Sequence, residues 1–151
     1  MLLQFSSGEA FAIGSAKYDY APVSEYEQTP RIILQVKLEE FRTSAFVDTG
    51  GIYLICPPNI ANELHLDPGA AIPTQRLLFR GQLLTGNLHR VALTVIAHSG
   101  EEITVEATTF VPEGGSGWTD FPCILGMVNC LDRFRFAIDP GNDHFYFGEL
   151  T

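Results

Sequence analysis

The stretch FVDTGGIYLICPP, Phe46 to Pro58, places one carboxylate, Asp48, between an apolar run and two adjacent glycines. A carboxylate that follows Ala45, Phe46 and Val47 is costly to bury unless its oxygens accept hydrogen bonds or it keeps its proton. Thr49 supplies a hydroxyl, and Gly50 and Gly51 permit a tight turn whose N–H groups approach the carboxylate with no Cβ in the way. Such a loop would hold Asp48 rigidly at the floor of a cleft, where a carboxylate can exchange protons. An ordinary Asx turn uses the same residue types, so the surroundings must decide.

The other residues capable of chemistry are dispersed. His65, His89, His98 and His144 have no second ligand at helical spacing, and they read as surface or satisfied histidines rather than a metal site. Cys56, Cys123 and Cys130 form an odd set without a CxxC pair, so reduced, packed thiols are expected rather than a disulfide framework or a zinc site. No metal and no cofactor is expected. The formal net charge of −9, with no Lys/Arg cluster, argues against nucleic acid as a partner.

The elements that must position Asp48 are β-rich. With 151 residues, 46% hydrophobic and 18% charged, the chain suits one globular domain with a real core. Its apolar runs fall short of the roughly 20 residues that cross a bilayer. The start, MLLQFSSGEAFAIG, has no basic region and reads poorly as a secretory signal, so no membrane and a cytoplasmic location are the expectation. RIILQVKLEEFRTSAFV (31–47) reads as a hairpin broken at Leu38–Arg42 that leads into the aspartate. IYLICPP reads as a short strand, and Asn59 to Leu66 as a helical turn or two before Asp67–Pro68–Gly69. Further hairpins follow through EEITVEATTFVP, punctuated by Gly81, Gly86 and Ser99–Gly100. In PCILGMVNCLDRF a buried strand ends at Gly126 and a short helix runs to Arg133. FRFAID, PGND and HFYFG close the chain as a last hairpin. Residues 1–30 read as an N-terminal arm or extra strand, and residues 31–151 as the domain proper.

This arrangement resembles the retropepsin-like aspartic proteases, in a single-domain, non-retroviral branch. That family's signature is two apolar residues, Asp-Thr/Ser-Gly and a small residue, here Phe46–Val47–Asp48–Thr49–Gly50–Gly51. Its second signature, two hydrophobics and a glycine, is matched by Ile124–Leu125–Gly126, and the two occur in the expected order. Between them the family carries a flap hairpin with a glycine at its tip, for which Leu77 to Val91 has the length and the place. The resemblance implies an all-β fold, a closed acid-protease-like β-barrel with a flap hairpin and one short C-terminal helix. It also implies that Arg80, Gly81 and Gln82 lie near the flap tip, and that Trp118 and Phe121 are candidates for apolar recognition of substrate. In retroviral members an acidic residue two positions after Asp-Thr-Gly pairs with an arginine directly after the second motif. Here those positions are Ile52 and Met127, and exchanging both partners of a buried ion pair for apolar residues can be neutral or better.

Pepsin-like enzymes carry two Asp motifs in a chain of about twice this length, whereas this chain has one. The resemblance therefore implies a homodimer in which Asp48 meets its symmetry mate, with Thr49 bonding to the opposing loop. The implied activity is hydrolysis of a polypeptide substrate by a water that the aspartate pair activates. Two alternatives stand beside it. One is a catalytically inactive peptide-binding or dimerisation module of the same fold, and the other is a small β-barrel binding protein in which Asp48 is only a turn residue.

Overall fold

The computed structural model describes residues 2–25, 27–79, 81–114 and 122–151. In chain order its strands are β1 (Gly14–Lys17), β2 (Asp19–Ala21), β3 (Arg31–Leu38), β4 (Phe41–Val47), β5 (Leu54–Ile55), β6 (Ile72–Phe79), β7 (Gln82–Val95), β8 (Ser99–Gly100), β9 (Ile103–Pro112), β10 (Cys123–Leu125), β11 (Arg135–Asp139) and β12 (His144–Gly148). The helix α1 (Pro58–Leu64) lies between β5 and β6. Among the described residues no helix is long and apolar enough to cross a membrane.

Two sheets form. The larger has the order β2-β3-β4-β10-β5-β9-β7-β6, and an additional β3–β7 pairing closes the circuit from β3 through β4, β10, β5, β9 and β7 back to β3. The long strand β7 makes this closure possible. Its first part pairs with β6, and its last residues, Leu93 to Val95, pair with Leu38 to Val36 of β3. The smaller sheet, β11-β12-β1-β8, joins the start of the chain to its end through Gly14↔Phe147 and Lys17↔His144. β2 pairs with β3, so both short N-terminal strands are built into sheets.

Strand alternation divides the core in two. Successive side chains of a strand point to opposite faces, and along β4 and β10 this sends Ala45, Cys123 and Leu125 into the larger cluster and Phe46 and Ile124 into the smaller one. The smaller cluster also takes Ile55, Leu77, Leu88 and Phe110. Full burial of side chains of this size stabilises by roughly 1.5–3 kcal/mol each.

Two elements differ in form from the sequence pattern. The helical segment expected from Val128 to Arg133 is a single 3-10 turn, Leu131–Arg133. Asn129, at φ 53°, lies in the left-handed region and interrupts a continuous right-handed helix there. The IYLICPP strand shortens to Leu54–Ile55 because Tyr53, at φ 62°, turns out of extended geometry before it, and Pro57 and Pro58 follow it. The helix α1 has Pro58 in its first turn, buries Ile60 and ends where His65 turns left-handed at φ 52°, ψ 45°.

Candidate active site

Asp48 emerges from the end of β4, where Val47 lies beside Leu125 of the parallel strand β10. The other edge of β10 pairs antiparallel with β5, Leu125 against Leu54. The loop 48–53 therefore leaves and re-enters the sheet on either side of the same central strand, which fixes both of its ends.

The loop is knitted by its own backbone. The Asp48 N–H donates to the Leu125 carbonyl at 2.9 Å, and the Gly51 N–H donates to the Asp48 carbonyl at 3.0 Å. The Gly50 N–H donates to Asp48 Oδ1 at 3.2 Å, the contact that the glycine-rich sequence leads one to expect. The second motif holds the loop from behind, because the Gly126 N–H donates to the Tyr53 carbonyl at 2.8 Å and the Met127 N–H to the Gly51 carbonyl at 2.8 Å. Gly126 has no room for a side chain, since a Cβ there would lie 2.2 Å from the Tyr53 carbonyl oxygen. A Cβ on Gly51 would lie 3.3 Å from the Asp48 carbonyl oxygen and 3.5 Å from its carboxyl carbon, a tight contact that a shift of a few tenths of an ångström would relieve. Thr49 is exposed beside the half-buried Asp48.

Asp48 lines a cavity of about 100 Å³ with Tyr53, Ile55, Ile124, Leu77 and Phe79. Leu77 and Phe79 belong to β6, which pairs with β7 from Phe79↔Gln82 back through Leu77↔Leu84. This is the expected flap hairpin, and it begins at Ile72, earlier than the sequence pattern placed it. Leu77 is 7% exposed in the smaller cluster with Phe46 and Ile124, so the hairpin is anchored over the aspartate. At its tip Gly81 takes φ 78°, which glycine adopts without strain, and Gln82 is exposed beside it. Arg80, Trp118 and Phe121, proposed from the sequence as flap or recognition residues, lie outside the described residues.

Of the second motif, Ile124 packs in the smaller cluster beside Phe46, Leu125 in the larger one, and Gly126 bonds to the loop. Met127 packs against the larger core, while Ile52 bridges to Val128 and stays 45% exposed. Sequence reasoning overlooked Tyr53, Leu77 and Phe79 as cavity residues, although the last two sit at the i, i+2 spacing of one strand face. It also overlooked Arg31, whose guanidinium lies 5.6 Å from the Phe46 ring centroid and forms an ion pair with Glu27 at 2.6 Å. Among the described residues no three His, Cys, Asp or Glu side chains come together as a metal site.

This fold has known counterparts. The chain is similar to the crystal structure of a retropepsin-like aspartic protease from Rickettsia conorii, with a TM-score of 0.58 and 20% sequence identity, covering 91% of this chain and 94% of that one. It also matches the crystal structure of the retroviral protease-like domain of Ddi1 from Leishmania major, with a TM-score of 0.48 and 18% identity, covering 78% of this chain and 94% of that one. No protein-family model matches the sequence, nor does any curated protein. The first likeness defines the class of structure: the chain has the retropepsin-like aspartic protease fold.

Proposed function

We propose that the chain is one protomer of a homodimeric aspartic endopeptidase. The observation that carries this reading is a single Asp48, oriented by the Gly50 N–H, facing a cavity covered by its own flap hairpin, with the Thr49 side chain exposed beside it. A two-fold axis at this loop would bring two Asp48 carboxylates together and give each Thr49 an opposing backbone to bond. Two carboxylates in so small a space cannot both ionise, so the pair holds one proton, as in aspartic proteases generally.

The ionised member takes a proton from a water lying between the two, and the water oxygen forms a bond to the scissile carbonyl carbon. The protonated member hydrogen-bonds the oxygen on which charge develops. Transfer of a proton to the departing nitrogen breaks the C–N bond and releases two peptides. Substrate would lie extended under the flap, with Gly81 and Gln82 near its backbone and alternate side chains in pockets. The cavity of about 100 Å³ is smaller than the roughly 300 Å³ at the lower end of ligand pockets, so the flap must lift to admit a peptide.

The test compares wild type and Asp48→Asn on an unfolded polypeptide at mildly acid pH. Cleavage by the wild type alone is expected, because the amide cannot act as general base. Equal turnover by both would sink the catalytic reading, and peptide affinity with no turnover by either would favour the binding module. Sedimentation tests the assembly, since a strict monomer at assay concentration cannot form the pair.

A further inference from the structure

A second, larger groove of about 820 Å³ shares Tyr53 with the Asp48 cavity. Its apolar walls come from separate parts of the chain. Leu64 and Leu66 stand at the end of α1, and Ile72 and Leu88 face each other in register at the root of the flap hairpin. Ile72 is 57% exposed, so it serves the groove rather than the core. The volume falls within the roughly 300–1,000 Å³ of binding sites, and the lining mixes apolar and polar side chains in about equal measure.

The groove carries charges of both signs, with two carboxylates against one guanidinium. Arg90 pairs with Glu106 at 3.6 Å at the surface, where both side chains are largely exposed, and His65 and His89 also line the groove. Burial lowers the pKa of His89, against the pull of the Asp67 carboxylate. The carboxylates are those of Glu39 and Asp67. One oxygen of each accepts a backbone N–H, from Ala92 at 3.2 Å and from Gly69 at 2.9 Å, and a carboxylate retains further acceptor capacity.

We propose that this groove binds the part of a polypeptide substrate that lies beyond the residues around the scissile bond, taking an apolar side chain between Leu66 and Ile72 and a lysine or arginine against Asp67 and Glu39. The inference rests on the peptidase reading of Asp48. Its independent support is adjacency, since Tyr53 lines both the Asp48 cavity and the groove, and charge complementarity of a basic side chain with Asp67 and Glu39 in a protein whose net charge is −9.

The test uses fluorescein-labelled peptides with a Phe-Leu core flanked by serines, alone or lengthened at either end by about five residues, roughly 16 Å of extended chain. One extension contains leucine and lysine, and the other contains serine and glutamate instead. Affinity is measured on full-length Asp48→Asn protein and turnover on wild type. The leucine-lysine extension is expected to bind about tenfold tighter than the core, as burial of one leucine-sized side chain implies. Ile72→Glu and Asp67→Asn, both exchanges of exposed side chains, are each expected to lose most of that gain. Equal affinity of core and extended peptides, or no binding of either, overturns the groove, as does a gain that survives both substitutions. Wild-type cleavage without the gain would leave the peptidase reading standing alone. The gain without any cleavage would support the groove while removing the peptidase reading.

Discussion

The carbonyl oxygen of Tyr53 accepts the Gly126 N–H at 2.8 Å and stands 2.2 Å from where a Cβ on Gly126 would be. The same contact that ties the second motif to the aspartate loop thus excludes a side chain. Gly126→Ala must push the loop and β10 apart, and overpacking of this kind costs about 1–3 kcal/mol. A lowered urea midpoint and loss of turnover are expected together. Gly51→Ala is the milder comparison, because its methyl group would meet the Asp48 carbonyl oxygen at 3.3 Å rather than 2.2 Å and its backbone is not in the left-handed region. That change is expected to alter stability by less than about 1 kcal/mol. Equal destabilisation by the two substitutions would contradict the close-approach account.

Leu77 anchors the flap, since it is the β6 residue buried in the cluster with Phe46 and Ile124. Leu77→Ala leaves a cavity where a buried leucine stood, a change that costs about 2–5 kcal/mol in well-packed sites. The loss is expected to appear first as faster hydrogen exchange of the β6–β7 amides near Leu77↔Leu84, ahead of the β3–β4 amides. Unchanged exchange in the hairpin would show that the flap is held elsewhere.

Much of this architecture was legible because it rests on local signals. The Asp48 loop was announced by an apolar run ending in Asp-Thr-Gly-Gly, and the hairpins by alternating side chains with turn residues between them, as at Glu39–Glu40 and Asp139–Asn142. What escaped depends on distant partners. The Cys56 N–H donates to the Phe110 carbonyl, a partner far along the chain that no local pattern reports. The pairing of β1 with β12 joins the two ends of the chain, which no periodicity reports. Tyr53 and Asn129 adopt left-handed backbone at φ 62° and 53°, although neither is glycine, and such strain is tolerated where the surroundings over-determine it. Both residues border the groove behind the site, so the least legible backbone is also the backbone closest to candidate function.

His89 makes stability pH-dependent. Burial lowers its pKa in the folded state, the Asp67 carboxylate opposing in part, so the unfolded chain binds the proton more readily. Stability is then complete above the unfolded value of about 6.5 and falls as the pH drops through that value toward the folded one. His89→Gln is expected to flatten the urea midpoint between neutral and mildly acid pH, the range in which the proposed chemistry would operate. A wild-type midpoint that does not fall over that range, or falls equally in the variant, would remove His89 as the cause.

The thiols offer a reading of global opening. Cys56, Cys123 and Cys130 are all fully buried. Burial, aided by the Asp132 carboxylate, pushes the Cys130 thiol up to about 12. The Cys123 thiol is raised by its hydrogen bond with Cys56 and by burial. Because the thiolate is the reactive form, an aromatic disulfide reagent at pH 8 is expected to leave the native protein unlabelled over the time in which it labels all three thiols in guanidinium. Cys56 follows β5, Cys123 begins β10 and Cys130 precedes the 3-10 turn, so no single loop exposes all three. Their slow labelling should therefore share one rate constant and track unfolding, and Gly126→Ala, which loosens the junction among these elements, should raise it. Rapid labelling of any one thiol in the native protein would show that this core opens locally behind the aspartate loop.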